Sequence, residues 1–522
     1  MSCAIFSVLL LTGVMGGEPS LRPAPVALAG APLASASRST APTASWFGPV
    51  STVMPAITDD DDDDDDGEQA DAGRWPQWSL DLGFSETGLS LGNSPRWRGL
   101  RINIRDDHIE NIRGVNITLW SPRNNQAGKV SGLALGLLAP NAGELNGVAA
   151  GLFAVVSDRS MTGVQLAGIA TVSDGDVSGL SAALVANVSE GRRRGLALAG
   201  VANVAQGGTK GLSLAGVANV SEGELAGISV AGVSTVAEGD LRGIGVSGVA
   251  VFAEGEMTGI DLAGVAVISE GPMTGVQAGL VAVVSNGETA GVRLSGVAVI
   301  NEEGESAGVQ VGGLAVVAEK GLTGINAAGL ATISEGDVKG LNLGGLAVVS
   351  ESELTGLSLG GLVAVSSTGT SGVTLGGLGV VSGGPIRGIS LGGLSVESGT
   401  QDFIPFVDFF ESPTSGSING ISLSAYRVRA QEISGVSMTG VMNRAQNMTG
   451  LSVAAINAFS GSQTGLSLGL FNSADELHGV QIGLLNHAPN NPPWARWLPL
   501  VNAHFGDDEP SLLPEPALAD DG

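Results

Sequence analysis

The sequence predicts an all-β chain: a parallel β-solenoid (β-helix) of 16-residue coils, with two short strands per coil and terminal caps. Three observations predict it. A glycine recurs every sixteen residues through most of the chain. After each such glycine, aliphatic residues alternate with small ones at the period of a strand. Each unit also carries glycines where the chain has to turn. The alternative weighed against this fold is a β-barrel.

The glycine in question precedes an aliphatic-x-aliphatic triplet. It steps by sixteen from Gly147 through Gly163, Gly179 and Gly195 to Gly291. One step of seventeen reaches Gly308, and sixteen then holds to Gly388. Gly420, Gly435, Gly450, Gly465 and Gly479 follow at fifteen or fourteen. Repetition on this scale decides the architecture before any local propensity does.

The unit from Gly211 to Ala226 is typical. With Gly211 as position one, aliphatic residues fall at two, four, seven, ten and fifteen. Positions two and four, with a small residue between them, read as the buried face of one strand. The second strand leaves its inward face open between eight/ten and seven/nine. Position six is usually Gly, and twelve and thirteen are often Glu-Gly, both corner chemistry. Helix is disfavoured, because two or three Gly per unit would each cost about 1 kcal/mol there.

Equivalent units need equivalent surroundings. A solenoid supplies them, since each coil stacks on the last in the same sense and none is stable without its neighbours. In a barrel, neighbouring strands run in opposite directions and the natural repeat is a hairpin. Membrane barrels also carry aromatic girdles, whereas residues 132–399 hold no Trp or Tyr and only Phe153 and Phe252.

Along the chain, residues 1–29 read as a signal peptide, with an apolar run from Ala4 to Val14 too short to span a bilayer. Residues 30–72 are a Pro/Ala/Ser linker containing Asp59 to Asp66, a charge run that cannot be buried. Residues 73–131 form the N-cap region. Residues 132–399 are the regular array. Residues 400–419 interrupt it with Phe403, Phe406, Phe409 and Phe410, a candidate interaction patch. Residues 420–488 hold irregular repeats, 489–505 a C-terminal cap, and 506–522 an acidic tail. All seven Trp lie outside the array. Trp97 and Trp120 at one end, and Trp494 and Trp497 at the other, are expected to close the open sheet edges. Pro492, Pro493 and Pro499 stop further strand addition.

Composition excludes several functions. Of 522 residues, 82 are Gly and one, Cys3, is cysteine, so no disulfide framework exists. The net charge of −27 argues against nucleic acid as a partner. No catalytic residue, cofactor site or metal site is assigned. His108, His478, His487 and His504 form no recognised metal or nucleophile motif. The dense polar run Asp106, Asp107, His108 and Glu110 reads as a solvated turn. Gly-x-Gly patterns carry no weight in so glycine-rich a chain.

Stacking converts equal positions into columns. Position nine holds Asn187, Asn203 and Asn219, which would form an amide ladder if inward. Position twelve holds Glu222, Glu238, Glu254 and Glu270. These are expected to splay into solvent. A divalent cation between them is the alternative, and the Ca2+-binding nonapeptide that would favour it is absent.

Four segments carry a resemblance: GLSLGNSPRWRGLRINIRD (88–106), GVNITLW (114–120), the GLSLAGVANVSEG-type units, and ELHGVQIGLLNHAPNNPPWARWLPLVNAHF (476–505). Together they resemble bacterial exported surface-repeat proteins built from Gly-rich GLxLGGLxxV units, with a C-terminal GVQIGLLN…LPLVNxxF segment. The resemblance implies export to the cell surface, outer membrane or periplasm, and supplies no catalytic residues. The expected function is a non-enzymatic, rigid scaffold of the cell envelope, with a protein or glycan as partner and an outer-membrane β-barrel as the alternative.

Overall fold

The computed structural model describes residues 78–123, 125–400 and 415–506. The expected signal peptide, the poly-Asp linker, Trp75, the four interrupting phenylalanines and residues 507–522 of the acidic tail lie outside the described residues. Among the described residues every regular element is a strand.

Strands β1 (Ser79–Phe84) and β2 (Thr87–Gly92) form an antiparallel hairpin. From β2 onward the pairing is parallel: β2 with β3 (Arg96–Asn103), β3 with β4 (Asn111–Thr118), and β4 with β5 (Lys129–Gly136). The stack therefore begins inside the N-cap region, before the strict period sets in. Within the array a long strand and a short strand alternate. The long strand Thr209–Ala215 pairs with Leu225–Ala231, Gly211 opposite Gly227. The short strand Ala202–Ala205 pairs with Ala218–Ser221. At the far end, Trp497–His504 returns antiparallel onto Phe471–His487. Parallel stacking between successive units is the solenoid, and it removes the barrel.

Reversed strands thus cap both ends. Trp97 is buried and donates its indole N–H to the Gly88 carbonyl at 3.1 Å. Trp497 lies against His487, ring centroids 4.1 Å apart. Trp120 and Trp494 are exposed and close nothing. Residues 401–414 do not break the ladder, since Gly388 stands opposite Gly420 across them.

The recurring glycine is not a corner residue. Gly211 lies within its strand at φ 127°, where a Cβ would sit 2.2 Å from the Gly195 carbonyl oxygen of the coil before. Position six is a corner, but Gly216 needs no positive φ; a Cβ there would meet the Gly200 carbonyl oxygen at 2.0 Å. Coil-to-coil closeness and positive φ together keep position one free of side chains, whereas position six is Gly in most coils and Leu at Leu152, Leu184 and Leu280.

The expected face assignment is inverted. Position three points inward: Ser213, Ser229 and Asn326 are buried, while Leu212 and Leu214 on either side are half-exposed. In the second strand nine and eleven point inward, as in Asn219 and Ser221. Only position fifteen gives a column of large buried aliphatics, among them Leu225, Leu241, Met257 and Met273. The two strands facing each other across one coil hold mostly Ser, Ala, Asn, Thr or Val inside, and in the middle coils the longer polar side chains of Asp261, Gln277, Arg293 and Gln310, while the aliphatics at two and four go outside. There each aliphatic side chain packs on its equivalents in the coils above and below, which hides about half of it and contributes roughly 1 kcal/mol.

Candidate interaction face and polar interior

This inversion gives the outer surface its character. Columns of half-exposed aliphatics run along positions two, four and seven. Val201, Val217, Val233, Val249 and Val265 at position seven are each 41–43% exposed. Between the column at four and the glycines at six lies a shallow apolar trough. One section of it, about 1100 Å3, is bordered by Leu135, Leu166, Leu198, Leu214 and Val230. Further sections follow along the same columns, past Leu262, Leu294, Leu343 and Leu375.

Charge is sorted just as sharply. From Gly163 to Ser398, positions two to eleven hold three charged residues, Asp261, Arg293 and Glu397. All three are buried. Exposed charge in these coils lies at positions twelve to sixteen, around the second corner. There Lys210 pairs with Glu224 at 2.8 Å and Arg242 with Asp240 at 2.8 Å. Asp337 is held at about 2 by the Lys339 ammonium and the Ser352 hydroxyl. A coil of two strands has two corners, so the aliphatic corner at five to seven and the charged corner lie at opposite ends of its cross-section.

Glu222, Glu238, Glu254 and Glu270 stand in one exposed column on the charged corner. Each backbone N–H donates to the coil before, as Glu238 does to Ser221 at 2.9 Å. Partial burial, then its neighbours Glu238 and Glu270, pushes the Glu254 carboxyl up. Among the described residues, no three His, Cys, Asp or Glu side chains group as a metal ion would require. The run Asp106 to Glu110 is split. Asp106 turns inward to Arg101, Asn116 and Thr118, whereas Asp107 faces His108 at 2.8 Å and Glu110 faces Arg96 at 3.3 Å.

Inside, the amide ladder stands as expected. Asn187 donates to Asn203 at 2.8 Å, and Asn203 to Asn219 at 2.9 Å. A second ladder had not been anticipated: Asn443 to Asn457 at 3.2 Å, Asn457 to Asn472 at 2.7 Å, and Asn472 to Asn486 at 2.7 Å. Its spacing of fourteen and fifteen, matching the glycines of that region, was the signal for it. A buried ion pair also joins the coils on either side of residues 401–414, with Glu397 accepting from Arg427 Nη2 at 2.7 Å and Nε at 2.9 Å.

Position three of the middle coils holds Asp261, Gln277, Arg293 and Gln310, each at most 1% exposed. Asp261 has neither carboxylate oxygen in a hydrogen bond. Burial pushes it up to about 7, although the Gln277 amide and the Gly245 N–H lie near enough to oppose the shift. Arg293 donates one bond, from Nη2 to the Ala307 carbonyl at 3.3 Å, and burial brings it down to about 10.

Comparison with protein-family models, curated proteins and solved structures finds no match. What fold and surface define is a class: a parallel β-solenoid with a polar interior, one aliphatic corner and one charged corner.

Proposed function

We propose that the chain is a non-enzymatic repeat protein, exported to the bacterial cell envelope or surface, that acts as a rigid interaction scaffold. One observation carries this reading: an outer face without exposed charge that runs past coil after coil of a stiff stack. Soluble monomers seldom expose a contiguous apolar patch beyond roughly 300–600 Å2, and larger ones mark contact sites. Contacts repeated along such a face add up through multivalency. The apolar run at Ala4–Val14 and the likeness to exported surface-repeat proteins support placement in the envelope, with a protein or glycan as partner.

The test is to express the full chain in a Gram-negative bacterium, fractionate the cells and treat intact cells with protease. Recovery in the envelope fraction with cleavage from outside is expected. Retention in the cytosol of a secretion-competent host overturns the reading.

A further inference from the structure

We infer that the aliphatic corner is covered by a second copy of this chain, so that the protein is a face-to-face dimer of solenoids. The inference rests on reading this corner as the contact surface and names its occupant.

Area is the first argument. The columns at four and seven stay about two-fifths exposed in coil after coil, as at Leu166 (44%), Val230 (37%), Leu262 (38%), Val297 (38%) and Leu391 (40%), a continuous apolar face on the scale of a standard interface of roughly 800 Å2 per partner. They contain no charge that would have to be desolvated.

Spacing is the second. Side chains on this face repeat once per coil, at roughly 4.8 Å. A second copy repeats at the same interval, so the side chains of one can fill the gaps of the other along the whole length. A partner of different construction keeps that match for only a few coils. The arrangement is isologous, the usual form of a homodimer, with its two-fold axis along the rods so that equal coils face each other.

Charge is the third. A chain of net charge −27 repels its own copies. Packing through the aliphatic corner sets the two charged corners as far apart as the cross-section allows. The same charge disfavours a lipid surface. Helices and faces that lie on bilayers bring Lys or Arg and interfacial aromatics. Here positions two to ten bring no exposed base, and residues 132–399 no Trp or Tyr.

The experiment is sedimentation velocity on the full chain without detergent. Twice the mass of one chain is expected. Leu214→Glu combined with Leu262→Glu should weaken association at least 100-fold, while Glu222→Gln with Glu238→Gln should leave it unchanged. A second measurement does not depend on the charged variants folding. In a Cys3→Ser background, Leu214→Cys should cross-link between copies with a short bismaleimide, and Glu222→Cys should not. A monomer at high micromolar concentration with no cross-link overturns the dimer. So does a monomer that floats with phospholipid vesicles, which would make lipid the occupant. A monomer that still binds envelope fractions sinks the dimer and leaves the scaffold standing.

Discussion

Two stretches of the same stack solve the same problem differently. In the coils from Thr171 to Thr235, position nine holds Thr or Asn and position three holds Ser or Ala beyond Gln165. In the coils from Val251 to Val316, position nine holds Val and position three holds Asp, Gln or Arg beyond Gly245. In the first stretch the two columns bond across the coil: Ser213 donates to Asn219 at 2.8 Å, and Asn219 donates to Ser229 at 2.9 Å. In the second, the large polar groups of position three face valines, and Asp261, Gln277, Arg293 and Gln310 all keep unpartnered polar atoms. A narrow polar interior is stable only where the opposite column can answer it. The unanswered stretch is where stability can be gained by substitution.

The largest expected effect is at Asp261. The unfolded carboxyl loses its proton near pH 4, whereas the folded one keeps it until about pH 7. Between these values only the folded state holds the proton, so its contribution to stability is full below pH 4, falls from pH 4 to 7 and stays low above. The loss is about 4 kcal/mol for a shift of this size. Asp261→Asn should recover most of it at pH 8 and nothing at pH 4. Hydrogen exchange of amides in Met257–Ala263 and Met273–Gly279, at pH 5 and pH 8, reads the change locally. Equal protection of variant and parent at pH 8 would place the carboxylate in better company than its surroundings indicate.

Next comes the ladder. Asn203→Ala removes the acceptor of Asn187 and the donor to Asn219 together. Two buried amide groups lose partners, for a cost of about 3 kcal/mol. Exchange in the short strands Ala186–Ser189 and Ala218–Ser221 should quicken in step, while Ala282–Ser285 stays unchanged. If only the substituted coil responds, the amides do not act as a chain.

Much of this was legible in the residues. The sixteen-residue step implied parallel stacking, and Asn187, Asn203 and Asn219 announced their ladder. The direction of the long strand was misread for a physical reason. Alternating Leu-Ser-Leu means Leu inside wherever a sheet packs on a wide core. Across this coil the inward position is a polar column, so Ser213 takes it and Leu212 and Leu214 face out against their equivalents in the neighbouring coils. The same reversal hid the aliphatic corner, since its residues had already been assigned to the core. Asp261 and Arg293 fell on what looked like a solvent position, so nothing marked them as buried. In the sequence the glycine column is a ruler and not a contact, because the carbonyl pressing on Gly211 belongs to a residue sixteen positions away.

The smallest effect is the most discriminating. Val267 follows Asp261 by six residues and precedes Gln277 by ten, the offsets that relate Asn219 to Ser213 and Ser229. An amide placed among valines ordinarily costs about 1–3 kcal/mol for want of partners. Val267→Asn should cost under ~1 kcal/mol at pH 8, because its amide N–H groups meet the two polar groups that now go unanswered. A hydrogen bond to the ionised carboxylate should also lower the Asp261 titration toward its unfolded value, so that exchange in Met257–Ala263 still begins to quicken near the unfolded pKa but levels off at a lower pH and by a smaller amount. A cost in the full range of about 1–3 kcal/mol, with the pH profile untouched, would mean that the valine column is required for its packing and that ladder and stack are not interchangeable.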